Sequence, residues 1–146
     1  MFDNPFLGSD IITGFAGETE EDFYTTIENL RKSGLSQIHV FPYSIREGTA
    51  GAKAENQINE NIRQIRADVV KALSALKHIE FINKNIGKEH EILIEKHPDK
   101  KTGMLKGITR NYLTVLVNSK DENLYNTLQK IKITKYENNK IYGELI

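Results

Sequence analysis

The stretch GSDIITGFAGETEEDFYTTIENLRKSGLSQIHVFP, residues 8–42, decides how the chain folds. Residues Gly8 to Gly14 predict a short buried strand that ends at Gly14, and Phe15 to Glu18 predict a turn. Thr19 is a good helix N-cap, and Glu20, Glu21 and Asp22 fall in the first turn, where the helix dipole favours acids. Phe23, Ile27 and Leu30 recur at i, i+4, i+7 and form one apolar face of a helix running to about Ser33. Gly34 is the expected C′ residue. Ile38 to Phe41 predicts a second short strand, halted by Pro42. Strand, capped helix and strand joined by short turns make a βαβ unit, with parallel strands and a right-handed crossover.

One such unit cannot bury both faces of a two-stranded sheet, since parallel sheets need more strands and flanking helices. The sheet therefore reads as part of a larger barrel or open sheet, completed by strands outside this sequence or by another chain. Working outward, Ser44 to Gln57 holds Gly48, Gly51 and mixed charges and reads as a loop. A long helix is predicted from about Asn59 to Asn85 and ended by Gly87. Its apolar stripe is Ile62, Ile65, Val69, Leu73, Leu76 and then Ile79 or Phe81, expected to pack in a core or against another domain. Arg63, Arg66, Lys71 and Lys77 take other positions on it. After Gly87 the pattern turns to short apolar runs. Strands are predicted at Glu89–Glu95, Leu105–Ile108, Tyr112–Val117, Leu128–Lys135 and Lys140–Leu145. Five short strands in such a length suggest a small antiparallel barrel, because closure removes exposed edges.

Composition narrows the classes further. At 146 residues the chain is one ordinary domain, or a small domain with a fragment of another. The first ten residues lack a basic region followed by an apolar run, so they do not read as a secretory signal. No apolar run approaches the roughly 20 residues of a membrane-spanning helix. The sequence has no cysteine, which excludes disulfides, thiolate zinc sites and cysteine-ligated iron–sulfur clusters within it. A cytoplasmic location is the expectation. The net charge of zero hides an asymmetry: residues 1–86 hold 9 Lys/Arg and 12 Asp/Glu, and residues 87–146 hold 11 and 8. Such a split suggests two modules, the basic one favouring a polyanion.

Three segments together resemble a known family. Ser9-Asp-Ile-Ile-Thr-Gly-Phe-Ala-Gly-Glu-Thr-Glu-Glu-Asp-Phe23 resembles the glycine-rich strand–turn–helix late in the radical-SAM barrel of methylthiotransferases. Ile38-His-Val-Phe-Pro-Tyr-Ser-Ile-Arg-Glu-Gly-Thr-Ala50, followed by Gly51-Ala52, resembles the last barrel strand and its exit loop. The wording His39-Val-Phe-Pro-Tyr-Ser44 is most similar to the branch that methylthiolates threonylcarbamoyladenosine in tRNA. The tail, with Lys106-Gly-Ile-Thr-Arg-Asn-Tyr-Leu-Thr-Val115 and Gly143-Glu-Leu-Ile146, resembles a TRAM domain, a small RNA-binding barrel. The family also has an N-terminal cluster-binding domain and a Cys-x-x-x-Cys-x-x-Cys loop opening its barrel, both of which would lie ahead of Met1. Its usual Gly-Phe-Pro-Gly turn carries Ala16 in place of proline here.

The resemblance implies an α/β plus all-β chain. Residues 1–54 would be the C-terminal part of a radical-SAM, TIM-like barrel, 55–86 a connecting helix, and 87–146 a five-stranded OB-like TRAM barrel. The intact enzyme would use S-adenosylmethionine and two 4Fe-4S clusters, with none expected in this chain alone. The partners implied are the tRNA anticodon region and the missing N-terminal cluster-binding and barrel segments. Gly14, Gly17 and Glu18 read on their own as a tight turn, while the resemblance implies a place at the S-adenosylmethionine pocket, with Ser44 and Arg46 after the second strand. Arg46 is either a carboxylate or phosphate partner or a solvated loop residue. His39 is expected to be a packed barrel histidine, and His78, His90 and His97 lack metal-ligand spacing. Arg110, Asn111 and Tyr112 offer a guanidinium, an amide and a stacking ring for single-stranded RNA, with Lys100, Lys101 and Lys106 as phosphate contacts. The rival readings are a stand-alone TRAM-type RNA-binding module and the structural half of a split enzyme. An exposed unfinished sheet also predicts instability or self-association of residues 1–58.

Overall fold

The computed structural model describes residues 4–146. The chain divides into two compact units, Leu7–Ile79 and the residues up to Phe6 together with Glu80–Ile146.

The first unit is the βαβ motif with a helix behind it. Strand β1 (Gly8–Thr13) pairs in parallel with β2 (Gln37–Pro42), from Gly8 opposite Gln37 to Thr13 opposite Pro42. Helix α1 (Glu20–Lys32) starts in a full capping box: the Thr19 hydroxyl accepts from the Asp22 N–H, and the Asp22 carboxylate accepts from the Thr19 N–H. Its end differs from the expected glycine cap. Gly34 is not in the left-handed region, and the helix stops at an extended Ser33. The free carbonyls find a cation instead, because Lys77 Nζ donates to the carbonyls of Ser33 at 2.8 Å and Arg31 at 3.3 Å. Phe23, Ile27 and Leu30 pack as their spacing predicts, with Ile11, Ile38 and Val70.

Helix α2 (Glu60–Asn83) begins in this unit, and its last turn belongs to the second. Asn59 accepts from the Asn61 N–H at its start. The helix is rotated away from most of the expected stripe, of which Leu73 and Phe81 do pack in a core. Ala67 and Val70 are fully buried, and Arg63, Arg66 and Lys77 are buried with them. Ile65 and Leu76 are 63% and 60% exposed, and Ile62, Val69 and Ile79 are exposed too. The cause is polar: each buried cation reaches an acceptor on the strand–helix unit, and Ser74 bonds both the N–H and the carbonyl of Ile38. Small Ala67 and Val70 let the helix sit close on that side.

The second unit is a closed barrel of β3 (Glu89–Ile94), β4 (Leu105–Thr109), β5 (Thr114–Val117), β6 (Leu128–Glu137) and β7 (Lys140–Leu145), in the order β3-β4-β5-β7-β6. Four pairings are antiparallel, but β5–β7 is parallel. The small, mainly antiparallel barrel that the five short runs predict is thus present, and one pairing has to be parallel because an odd number of strands cannot alternate direction around a closed ring. Ile92, Ile94, Leu105, Val115, Ile131 and Ile133 fill the interior, with Phe81 and Ile82 of α2 packed among them. Gly143 faces inward where a Cβ would lie 2.9 Å from Val115 Cγ1, so the taper admits no side chain there. β5 begins at Thr114 rather than Tyr112, because Tyr112 turns into the left-handed region at φ 64°. Gly87 ends the α2 segment at φ 82° and donates its N–H to Ile133. No helix among the described residues is long and apolar enough to cross a membrane.

Candidate functional site

The candidate site of the first unit lies at the C-terminal ends of β1 and β2, where parallel α/β sheets gather their ligand-binding residues. A pocket of about 620 Å³ opens there, lined by Asp10, Ile12, Phe15, Phe41, Tyr43, Ser44, Arg46, Thr49 and Gly51, with Pro42. The alternation of β1 and β2 builds its floor. Ile11, Ile38 and Val40 turn to the helices, while Asp10, Ile12, His39 and Phe41 turn to the opposite, open face. His39 is therefore exposed rather than packed, because no element covers that face of the sheet among the described residues. It stands directly opposite Asp10 in the strand register.

Phe15 and Tyr43 meet edge to face at 4.8 Å and form the pocket's aromatic wall. Gly51 is required beside them: a Cβ would lie 2.6 Å from the Tyr43 hydroxyl and 3.2 Å from the Phe15 ring. Asp10 and Arg46 are the two charged lining residues.

Gly14, Gly17 and Glu18 do not line this pocket; they form the turn next to it. Gly14 and Gly17 adopt φ of 72° and 88°, which side-chain-bearing residues rarely hold. The Glu18 carboxylate accepts from the Gly14 N–H at 2.7 Å and from Arg66 Nη1 at 2.6 Å. Arg66 Nη1 also donates to the Glu18 carbonyl at 2.9 Å, and Nη2 reaches Glu20. Burial by itself would lower the Arg66 pKa, but the Glu20 and Glu18 carboxylates outweigh it and hold the guanidinium above its ordinary value. One turn earlier, Arg63 donates to the Tyr43 carbonyl and to Gln57, and stacks 5.3 Å from the Tyr43 ring centre. Two buried arginines thus hold the loops that follow β1 and β2. Neither is evident from the sequence, where a charge beside an apolar stripe reads as solvated. The available signal was their i, i+3 spacing, which puts both on one face.

In the barrel, the structure separates the residues considered for RNA. Lys100 and Lys101 are exposed in the connection before β4, and Arg110, Asn111 and Tyr112 lie in the turn after it. The five-residue strand β4 between them spans roughly 17 Å at ~3.4 Å per residue. Arg110 is paired with Glu91 at 2.7 Å. Asn111 is used internally, accepting from the Thr109 hydroxyl and donating to the Asn85 side chain and the Asn4 carbonyl. Tyr112 is exposed and touches the Phe6 ring. Lys106 points outward from β4 and pairs with Glu95 at 2.8 Å. Among the described residues no group of three or more His, Asp or Glu is placed to hold a metal ion.

No family model matches the chain. Its sequence is 38% identical over 145 residues to the tRNA-2-methylthio-N(6)-dimethylallyladenosine synthase of Alkaliphilus oremlandii, covering 96% of this chain and 30% of that protein. The Rickettsia canadensis protein of the same name is 33% identical over 139 residues, covering 95% and 31%. Threonylcarbamoyladenosine tRNA methylthiotransferase MtaB of Bacillus subtilis is 36% identical over 129 residues, covering 87% and 28%. The chain spans about 30% of the length of the curated relatives it matches. Along nearly its whole length, then, this chain is homologous to tRNA methylthiotransferases.

Proposed function

We propose that this chain is the C-terminal part of a radical-SAM tRNA methylthiotransferase, closing the enzyme's barrel and carrying its TRAM-type RNA-binding domain. The observation that carries this reading is the open face of the β1–β2 sheet. Ile12 and Phe41 are 59% and 53% exposed at the mouth of a pocket, a state that further parallel strands would relieve. On this reading residues 1–54 complete the barrel, 55–86 connect, and 87–146 recruit the anticodon region of tRNA.

The pocket's residues suit S-adenosylmethionine. An aromatic wall of Phe15 and Tyr43 matches an adenine ring, while Asp10 and Arg46 match an ammonium and a carboxylate. Ser44 and Arg46 would hold the cofactor from this side, and Gly14, Gly17 and Glu18 would fix the turn beneath it. When bound, the cofactor supplies the radical chemistry. The 4Fe-4S clusters would be held by other segments, since none of the 146 residues is a cysteine. The wording His39-Val-Phe-Pro-Tyr-Ser44 favours threonylcarbamoyladenosine as the adenosine acted on.

The test is to join this chain to the cluster-bearing remainder of the Bacillus subtilis relative, in a strain lacking that enzyme. Digested tRNA is then read by mass spectrometry. Methylthiolated threonylcarbamoyladenosine is the expected product. A methylthiolated dimethylallyladenosine would overturn the substrate assignment, and a four-iron cluster assembled on this chain alone would overturn the division of labour.

A further inference from the structure

The strand order β3-β4-β5-β7-β6 is the first-second-third-fifth-fourth order of an OB barrel, whose second and third strands and flanking connections commonly meet oligonucleotides. A lateral row crosses the outer face of this barrel. Lys106 on β4 stands opposite Leu116 on β5, Leu116 opposite Tyr142 on β7, and Tyr142 opposite Lys135 on β6. Their chain neighbours Leu105, Gly107, Val115, Val117, Ile141 and Gly143 are buried inward, so the row lies on the outer face; Leu116 is itself covered there at 4% exposure, which leaves Lys106, Tyr142 and Lys135 as its accessible members. Lys135 Nζ lies 5.1 Å from the centre of the Tyr142 ring. Two residues before Tyr142 on the same side of β7, Lys140 bonds Asp99 at 2.7 Å. That bond pins the connection bearing exposed Lys100 and Lys101 beside the row.

We propose that this row is the barrel's single-stranded RNA site, with the Tyr142 ring stacking on one base and Lys106 and Lys135 contacting phosphates. The inference rests on the RNA-recruiting reading of the barrel and specifies where the contact is made. A half-buried ring with one cation against it and a second across the buried Leu116 offers an unpaired base a stacking face and its backbone two phosphate contacts. Lys106 and Lys135 are held at rest by Glu95 and Glu137. Exposed pairs of this kind are weak and exchange readily for a phosphate. In the turn after β4 the Asn111 amide is less available, because it already serves the Thr109 hydroxyl, the Asn4 carbonyl and the Asn85 side chain.

Fluorescence anisotropy of the full chain with a labelled RNA stem–loop of anticodon-arm size, at about 50 mM salt, tests this. Y142L should weaken binding by roughly 5- to 100-fold, and Y142F, which keeps the ring, should restore it. K106A and K135A should each reduce the slope of log affinity against log salt by about 0.7. Lys135 is exposed, so K135A reads the proposal even if Y142L fails to fold. Loss of binding in R110A with none in Y142L and K135A would overturn the row while leaving the barrel an RNA binder. No binding by the unaltered chain would overturn both.

Discussion

At Arg66 one side chain joins three demands. It is 4% exposed, and it binds the Glu18 carboxylate that also caps the Gly14 N–H. A guanidinium fork serves Glu18 from one nitrogen and Glu20 from another in a fixed geometry, whereas an ammonium would have to reach both from a single atom. Arg66→Met should therefore cost about 2–4 kcal/mol, near the low end for stranding one partner of a buried pair, because Glu18 keeps its backbone donor. Arg66→Lys should recover only part of that, and urea unfolding followed by circular dichroism reads both. A second residue sets a pH limb. The bond from Lys140, then those from Thr102, hold the Asp99 carboxyl well below its ordinary 3.8. Its contribution is complete above that ordinary value and is lost as pH falls toward the depressed one. Asp99→Asn should flatten the fall of Tm below about pH 4 relative to the unaltered chain, with little change in slope near neutrality.

At the scale of elements, what could be read in advance depended on how many faces an element had to choose between. The start and buried face of α1 were legible, because Thr19 as N-cap, the acids after it and Phe23, Ile27 and Leu30 all agree; the reciprocal bond to Asp22 that makes the cap a box was not read. β7 was legible to the residue, and the βαβ pairing with it. α2 was legible in extent but not in rotation. Periodicity identifies an apolar stripe; it does not reveal that Arg63 and Arg66 have partners waiting on the neighbouring face. The pocket was half legible for the same reason. Ser44 and Arg46 follow a strand end, whereas Asp10 and Phe15 enter through strand alternation and a ring contact. The consequence is an unpartnered apolar face on α2. Replacing Ile65 and Leu76 by glutamine should leave folding within about 0.5 kcal/mol. It should also lower self-association in light scattering, since contiguous exposed apolar surface drives it. A loss of several kcal/mol would mean that the stripe is buried in the folded chain.

Over the whole molecule, the two units face opposite problems. The barrel closes on itself, so each of its strands has two hydrogen-bonded neighbours, and its interior is one continuous apolar cluster. The βαβ unit has two strands with one face open, and its core is the smaller cluster of Leu30, Ile38 and Val70 with partly buried companions. Local opening free energy follows buried apolar contact and protected backbone bonds. Amides of β1 (Gly8–Thr13) should then exchange with deuterium faster than those of β3, β4 and β6. The β1 protection should rise when the chain is joined to the cluster-bearing remainder of a homologous enzyme. Hydrogen exchange read by mass spectrometry separates the possibilities. Equal protection in β1 and the barrel of the isolated chain would mean that the two strands need no others, and the case for an unfinished sheet would fall with it. Faster exchange that stays unchanged on joining would mean that the added segments do not cover this face, leaving the pocket at its end an open groove rather than one wall of an enclosed site.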